Sequence, residues 1–413
     1  MDRISSSAPH TGFQRNLRRQ ESAINKVERQ IGTQNRIQSL RDDPIAAGRV
    51  VRSQSFVNRL DQFEKNARTL VDRISYSEGY INSNLQILQR VRELAVTGAN
   101  GTYTPEDLKI MAGEVNQLLM TMVDNANATG AEGTSLFAGT KTNSQAFEVT
   151  YGNVPGAGSA VITEVRYNGN IDMSKIEVDE RHSVMQDRSG NRIFWAEPQT
   201  VFSNTDSSQY VVGKDSVINV DGHEILITAG DNMYSVIAKI NNSGAAVKAS
   251  VDPISNGINI STTDARQLWM QDLGESTILQ DLGLISSENA PNNIAAGATA
   301  VGGSAFDAVI ALRDAMLSGD SHRIGGSALG AVSSAVDNVA NHLAKTGSLY
   351  EQLEANIART GKQIPDVTAA ISREKDVDMA EAITEMKMLD FTKQATLNMA
   401  ARLYSNSILN YMR

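Results

Sequence analysis

A run of apolar residues at heptad spacing constrains the fold more than any other feature of the chain. Apolar side chains that recur every three or four residues lie on one face of a helix. The run consists of Leu60, Phe63, Ala67, Leu70, Ile74, Ile81, Leu88, Val91 and Ala95. A helix from about residue 45 to 97 would be on the order of 80 Å long at about 1.5 Å per residue. Compact domains rarely need such a helix, so the run predicts an extended helical rod.

Two polar residues, Ser77 and Asn84, occupy heptad positions of this run that are otherwise apolar. A polar side chain inside a helix interface lowers stability but fixes the register of the partner helix. Exposure of both side chains to solvent explains the pattern equally well. Both interpretations stay open at the level of sequence.

The start of this helix carries a recognisable signature at Asp42, Asp43 and Pro44. Asp43 can cap the first turn, Pro44 suits the first helical position, and two carboxylates favour the positive end of the helix dipole. The pair of aspartates could also serve acid–base chemistry. Capping is the better interpretation because the pair directly precedes Pro44 at a predicted helix start.

A second helix follows a polar turn, with Thr104 as its expected cap and Pro105 at its first position. Two long helices joined by a short turn pack antiparallel. The glycine-containing segment 130–141 predicts a β-hairpin beside them.

The periodicity changes between residues 142 and 300. Val161–Tyr167 alternates between apolar and polar residues, and two further strands, Ser216–Val220 and Glu224–Ile227, flank the turn residues Asp221 and Gly222. Together with one short helix at Met233–Asn241, this pattern predicts a mainly β domain. The segment has about two acidic residues for every basic one, so its surface should be acidic.

Heptad spacing returns at both ends of the chain, where it predicts an assembly interface between terminal helices. The N-terminal positions are Phe13, Leu17, Ile24, Val27 and Ile31, with Gln20 in the one polar position. The C-terminal positions are Leu397, Ala401, Tyr404, Ile408 and Tyr411, preceded by a stripe of Met379, Ile383, Met386 and Leu389 in a different phase. We expect the C-terminal row to pack on the N-terminal row in an assembly. A terminal helix with a single apolar face should order fully only against neighbours.

These patterns predict an α+β fold, in which a long antiparallel helical rod carries an inserted mainly β domain. The rod combines coiled-coil termini with a helical bundle and its β-hairpin. The expected segments are 1–44, an N-terminal coiled coil; 45–141, the first part of the rod; 142–300, the β-rich outer domain; 301–370, the second part of the rod; and 371–413, the C-terminal coiled-coil helix.

Composition argues against most catalytic and membrane functions. The chain has no cysteine, which removes disulfides, thiolate metal sites and cysteine nucleophiles. The five histidines lack metal-ligand spacing, and neither a phosphate-binding loop nor a nucleophile elbow occurs. We therefore expect no enzyme activity, no catalytic residue, no cofactor and no metal.

The charge and the ends of the chain bear on partners and location. Residues 1–68 carry 13 Lys or Arg against 7 Asp or Glu, but the cations alternate with apolar residues, so a helix surface is favoured over nucleic-acid binding. There is no apolar stretch typical of a signal peptide or a membrane span. Export without a cleaved signal is therefore expected if the protein is secreted.

Several segments resemble the signature sequences of flagellin-type axial proteins. Residues 36–50 are R-I-Q-S-L-R-D-D-P-I-A-A-G-R-V, and residues 93–102 contain E-L-A-V and A-N-G-T. Residues 136–142, L-F-A-G-T-K-T, are similar to a segment of FlgL-like members of that family. At the C-terminus, D-M-A-E-A at 378–382 and S-I-L-N-Y-M-R at 407–413 resemble the family's helix start and finish. Departures from the FlgL-like pattern are the M-D-R start and Q-S-L at 38–40.

The resemblance implies a structural subunit of the bacterial flagellum, at the junction between hook and filament. Implied partners are further copies in a ring, a FlgK-like second junction protein, flagellin, and the type III export apparatus with its chaperone. The chaperone would contact Met379, Ile383, Met386 and Leu389. Alternatives are the filament subunit itself and a secreted adhesin or enzyme that acts through the β insert. The protein would lie outside the cell, or in the periplasm if the flagellum is periplasmic.

Overall fold

A computed structural model describes the backbone of residues 8–186 and 188–411, and the side chains of 11–186 and 188–401. The chain forms two compact units. Unit 1 combines the described residues up to Lys65 with those from Ile357 onward, and unit 2 comprises Asn66–Asn356 apart from residue 187.

Long helices occupy both ends of the chain, and short helices lie between them. They are α1 (Ala8–Thr33), α2 (Pro44–Gly98), α3 (Pro105–Ala126), α4 (Gly190–Ile193), α5 (Met233–Asn241), α6 (Ile278–Asp281), α7 (Ala305–Ser318), α8 (Ser321–Arg323), a π-helical turn (Ile324–Ala328), α9 (Leu329–Lys375) and α10 (Met379–Tyr411). The prediction of long terminal helices around a β-rich insert is confirmed. Among the described residues, none of these helices is long and apolar enough to cross a membrane.

The strands lie between α3 and α7 and form small antiparallel sheets. They are β1 (Phe147–Gly152), β2 (Val161–Tyr167), β3 (Lys175–Asp179), β4 (His182–Met185), β5 (Thr200–Phe202), β6 (Ser216–Val220), β7 (His223–Ile227), β8 (Val247–Val251), β9 (Ile258–Thr262), β10 (Met270–Leu273) and β11 (Thr299–Val301). β1 pairs with β2 and β3 with β4, and the larger sheets have the orders β10-β6-β7 and β11-β5-β9-β8.

Helix starts follow the capping chemistry of the sequence. Thr104 accepts a hydrogen bond from the backbone N–H of Asp107, and the Asp107 carboxylate accepts one from the N–H of Thr104. Ser304 and Asp307 form the same reciprocal pair at the start of α7. Because such a pair satisfies backbone donors that the helix leaves free, each helix begins at a defined residue.

The predicted turn at Asp221 and Gly222 is confirmed. Their φ angles are 51° and 82°, which is the backbone of a type I′ turn between two paired strands. Val220 and His223 flank the turn as partners in the β6–β7 ladder.

Unit 2 contains two hydrophobic cores, and the boundary between them lies inside the predicted β insert. The first core joins α2, α3, α7 and α9 to β1 and β2. In it Phe194 makes edge contacts with Phe137 and Phe147, and Phe147 makes another with Phe306. The second core is built from β5–β10 and α5. The early part of the insert therefore packs with the helices, and only the later part forms a β core of its own.

Segment 130–141 packs beside the helices, but as turns instead of paired strands. An isolated bridge joins Thr129 to Ser135, and three consecutive side chains, Leu136, Phe137 and Ala138, are fully buried. A strand with one exposed face buries alternate residues, so this run cannot form one. The two-stranded ladder that shares a hydrophobic core with these helices is β1–β2.

The open question about Ser77 and Asn84 is resolved by burial. Both side chains are 1% exposed or less. Asn84 donates to the carbonyl of Met122 at 3.3 Å and accepts from Asn125 at 3.1 Å. Asn84 thus fixes the antiparallel register of α2 against α3, whereas Ser77 donates to the carbonyl of Ile74 on its own helix at 2.9 Å. The solvent-exposed interpretation is wrong for both residues.

Candidate assembly interface

Unit 1 brings the two ends of the described chain together as a pair of helices. The backbone N–H of Arg36 donates to the carbonyl of Lys375 at 2.7 Å, and that of Val377 donates to Gln34 at 3.0 Å. Gln20 on α1 donates a hydrogen bond to Thr396 on α10 at 3.1 Å. Because residue numbers rise on one helix as they fall on the other, α1 and α10 are antiparallel.

One face of α1 is covered in this pair. Ile24 and Val27 are 7% and 3% exposed, and Phe13, Leu17, Gln20 and Ile31 are half-buried. These six residues follow a strict alternation of four and three, which places them in one row. The predicted N-terminal row is therefore the covered face of α1.

The covered row of α10 differs from the predicted one. Its buried and half-buried members are Ala382, Met386, Leu389, Lys393, Thr396 and Ala400. They keep one heptad phase along the helix, so the phase shift expected before Leu397 does not occur. The Nζ atom of Lys393 lies 3.8 Å from Oε1 of Glu21 on α1. This ion pair accommodates the charged residue at the edge of the row.

The two described members of the predicted C-terminal row lie outside this contact. Leu397 is 45% exposed and Ala401 is also exposed, so within one chain they do not cover α1. The side chains of Tyr404, Ile408 and Tyr411 lie outside the described residues. Their packing against another copy in an assembly stays a prediction.

The predicted chaperone residues divide between two faces of α10. Met386 and Leu389 belong to the covered row, whereas Met379 and Ile383 are 38% and 42% exposed. Further apolar residues are exposed beyond them: Met388 at 67%, Phe391 at 73% and Met399 at 66%. Apolar surface of this extent on a helix commonly marks a contact with another chain. We name Met388, Phe391 and Met399, which share one side of the helix, the open face of α10.

The loop between α1 and α2 is held by its two aspartates. The Asp42 carboxylate accepts hydrogen bonds from the backbone N–H groups of Gln38 and Ser39 at 3.1 and 2.9 Å. Asp43 accepts one from the N–H of Ala46 at 3.0 Å, as expected of a helix cap. The bond from Ser39 lowers the pKa of the Asp42 carboxyl below its ordinary value. The bond from Ala46 does the same to the pKa of Asp43. Both residues therefore organise the loop and the start of α2.

Two contacts in unit 1 were not predicted from the sequence. Segments 34–37 and 374–377 bond to each other, and Arg49 on α2 forms an ion pair with Glu374 at 2.9 Å. The heptad spacing from Ala382 to Ala400 is the sequence pattern that could have predicted the covered row of α10. The pattern is hard to recognise because two of its positions, Lys393 and Thr396, are polar.

Comparison with known proteins identifies the family. The model of the bacterial flagellin N-terminal helical region matches residues 4–142, and that of the bacterial flagellin C-terminal helical region matches residues 329–412. Together they span more than half of the chain.

Curated flagellins are similar over different shares of their length. Polar flagellin C of Vibrio parahaemolyticus serotype O3:K6 (strain RIMD 2210633) is 24% identical over 97% of this chain and 96% of its own. A flagellin of Salmonella muenchen is 28% identical over 62% of this chain, which spans only 50% of that relative.

Among solved structures, the chain is similar to hook-associated protein 3 of Legionella pneumophila. The TM-score is 0.46 at 16% identity, over 78% of this chain and 97% of that chain. The flagellar junction protein FlgL of Legionella pneumophila gives 0.44 at 16% identity over 80% of this chain and all of that one. With matched family regions at both ends, joined here in one pair of terminal helices, the chain belongs to the bacterial flagellin family.

Proposed function

We propose that this protein is a structural subunit of the bacterial flagellum at the junction between hook and filament. The observation that carries the proposal is the incomplete burial of α10: α1 covers one of its faces and leaves Met388, Phe391 and Met399 exposed. Exposed apolar side chains in a row along a helix suit contact with a neighbouring subunit.

The choice of the junction rests on two sequence segments. Pro44 after Asp42 and Asp43, and L-F-A-G-T-K-T at 136–142, are similar to FlgL-like members of the family. In this role the subunit would adapt hook to filament through its terminal helices, without enzymatic activity. It would contact further copies of itself, a FlgK-like junction protein and flagellin.

Export is part of the same proposal. The subunit would leave the cell through the type III apparatus without a cleaved signal, with a chaperone bound to α10 before assembly. Met379 and Ile383 are exposed and could be bound directly. Met386 and Leu389 are half-buried and would become fully accessible only when α10 leaves α1.

The decisive experiment combines localisation with truncation. Gold-labelled antibodies should bind at the hook–filament boundary in electron micrographs of intact flagella. A chain that lacks residues 379–413 should be missing from flagella while unit 2 keeps its fold. Label along the whole filament, or assembly of the truncated chain, would contradict the proposal.

A second candidate is the filament subunit itself. The alignment with polar flagellin C, which extends over 97% of this chain, favours it. Polymerisation separates the two: purified filament subunit should form long filaments alone, whereas a junction subunit should form none under the same conditions.

A further inference from the structure

The free edge of β7 is the feature that carries a new inference. In the β6–β7 hairpin, Val220 pairs with His223, Ile218 with Ile225, and Ser216 with Ile227. A two-residue turn makes these the hydrogen-bonded pairs. The N–H and C=O groups of Glu224 and Leu226 therefore point away from β6, and no bond to them occurs within the part of the chain that the structure describes.

Other strands of this protein have their edges covered by asparagine side chains. The Asn127 amide accepts from the N–H of Phe147 at 2.8 Å and donates to its C=O at 2.9 Å. Asn241 forms the same pair of bonds with Ala249 on β8, at 2.8 and 2.9 Å. Such caps prevent an exposed edge from pairing with another chain. The edge of β7 lacks this protection.

The face beside this edge has a definite chemical pattern. Leu273, Val217 and Leu226 form one row across β10, β6 and β7, and Leu226 at its end is 60% exposed. The next row consists of Gln271, Asn219 and Glu224. In a strand added to β7, an apolar residue beside Leu226 would continue the first row. The residue beside Glu224 would continue the second row and would face a carboxylate.

The surrounding charge selects the partner. Residues 201–281 carry 10 Asp or Glu against 4 Lys or Arg, so two copies of this part of the chain would repel each other. A basic strand would be attracted by the same field.

We propose that β7 is a docking edge for an extended segment of another protein, which carries an apolar residue beside Leu226 and a lysine or arginine beside Glu224. Main-chain hydrogen bonds would supply affinity, and the two side-chain positions would supply specificity. This inference does not depend on the position of the subunit in the flagellum.

Peptide binding to the full chain tests it. The probe is a labelled peptide of three Thr-Lys-Thr-Val repeats, whose lysines and valines alternate on one face of a strand. A second peptide carries glutamate in place of each lysine. We expect the lysine peptide to bind at least about tenfold more tightly, and Glu224→Lys to reverse that preference. Equal binding of both peptides would overturn the proposal.

Two variants test the edge itself. Leu226→Pro removes an N–H that points away from β6 and should weaken binding of the lysine peptide at least about tenfold while the β6–β7 ladder persists. If the proline variant does not fold, Leu226→Lys takes its place. It adds a charge without changing the backbone and should give a similar loss of binding. Undiminished binding to the folded variants would refute the docking edge. Self-association that depends on Leu226 in sedimentation would refute the basic partner, because the occupant would then be a second copy.

Discussion

Gln20 on α1 donates a hydrogen bond to Oγ1 of Thr396 on α10, 3.1 Å away, in the middle of an otherwise largely apolar contact. Its own Oε1 is buried and has no partner among the residues that the structure describes. The pair therefore sets the register of the two helices at some cost in stability, as a polar residue in a helix interface does elsewhere.

Removal of both partners should reveal this coupling. In a double-mutant cycle of Gln20→Ala and Thr396→Ala, we expect about 1 kcal/mol of coupling between the two sites. Because the chain has no cysteine, thiol labelling of a Val27→Cys background reports opening of the helix pair. The coupling corresponds to about a fivefold departure of the double variant's labelling rate from the product of the two single-variant effects. The control cycle pairs Gln20 with the exposed Asn398 and should be additive; equal coupling in both cycles would contradict the assignment.

The open face of α10 should matter for assembly and not for the fold. Phe391→Asp places a charge where the side chain is 73% exposed. It should change the unfolding free energy of the monomer by less than about 0.5 kcal/mol, but it should strongly reduce incorporation into flagella, because an unpaired charge would be buried against a neighbour. The matched control is Asn82→Asp, which adds the same charge at an exposed position of α2, outside α10. Normal incorporation of Phe391→Asp would rule out this face as a subunit contact.

Asn84 should be needed for stability in unit 2. Asn84→Ala leaves the Met122 carbonyl and the Asn125 amide without one of their partners inside a buried interface. The expected loss is about 1–3 kcal/mol of unfolding free energy. The two tryptophans, Trp195 and Trp269, both lie in the first core of this unit, so urea titration by fluorescence measures it. Asn82→Ala removes an exposed amide two residues away and should have almost no effect; similar losses in both variants would contradict the role of Asn84.

Local chemistry could be predicted from the sequence, whereas contacts between distant polar residues could not. The caps at Asp43 and Thr104 and the turn at Asp221 depend on neighbouring residues only, so composition and spacing sufficed. The covered row of α10 could not be predicted, because Lys393 and Thr396 look like surface residues until α1 is beside them.

The site shows the same limit. The row from Phe13 to Ile31 was predicted because five of its six members are apolar. The exposure of Leu397 was not, since heptad spacing alone does not say which of two apolar faces a partner covers. The asparagine caps on β1 and β8 are likewise absent from sequence patterns, because an amide that bonds a distant strand has no local signature.

His342 on α9 should make the stability of unit 2 depend on pH. Burial, and then the positive charges of Lys345, Arg188 and Arg192, lower the pKa of its imidazole to about 4 from an ordinary value of 6.5. Between these values the unfolded chain binds the proton and the folded one does not, so unfolding becomes easier as pH falls from 6.5 towards 4. The loss attributable to this group is at most about 3 kcal/mol. Comparison with His342→Gln at pH 7.5 and 4.5 isolates it from the carboxylates, which are common to both proteins. Between pH 7.5 and 4.5 the wild-type chain should lose more unfolding free energy than His342→Gln does. An unchanged difference between the two proteins would show that His342 does not titrate in this window.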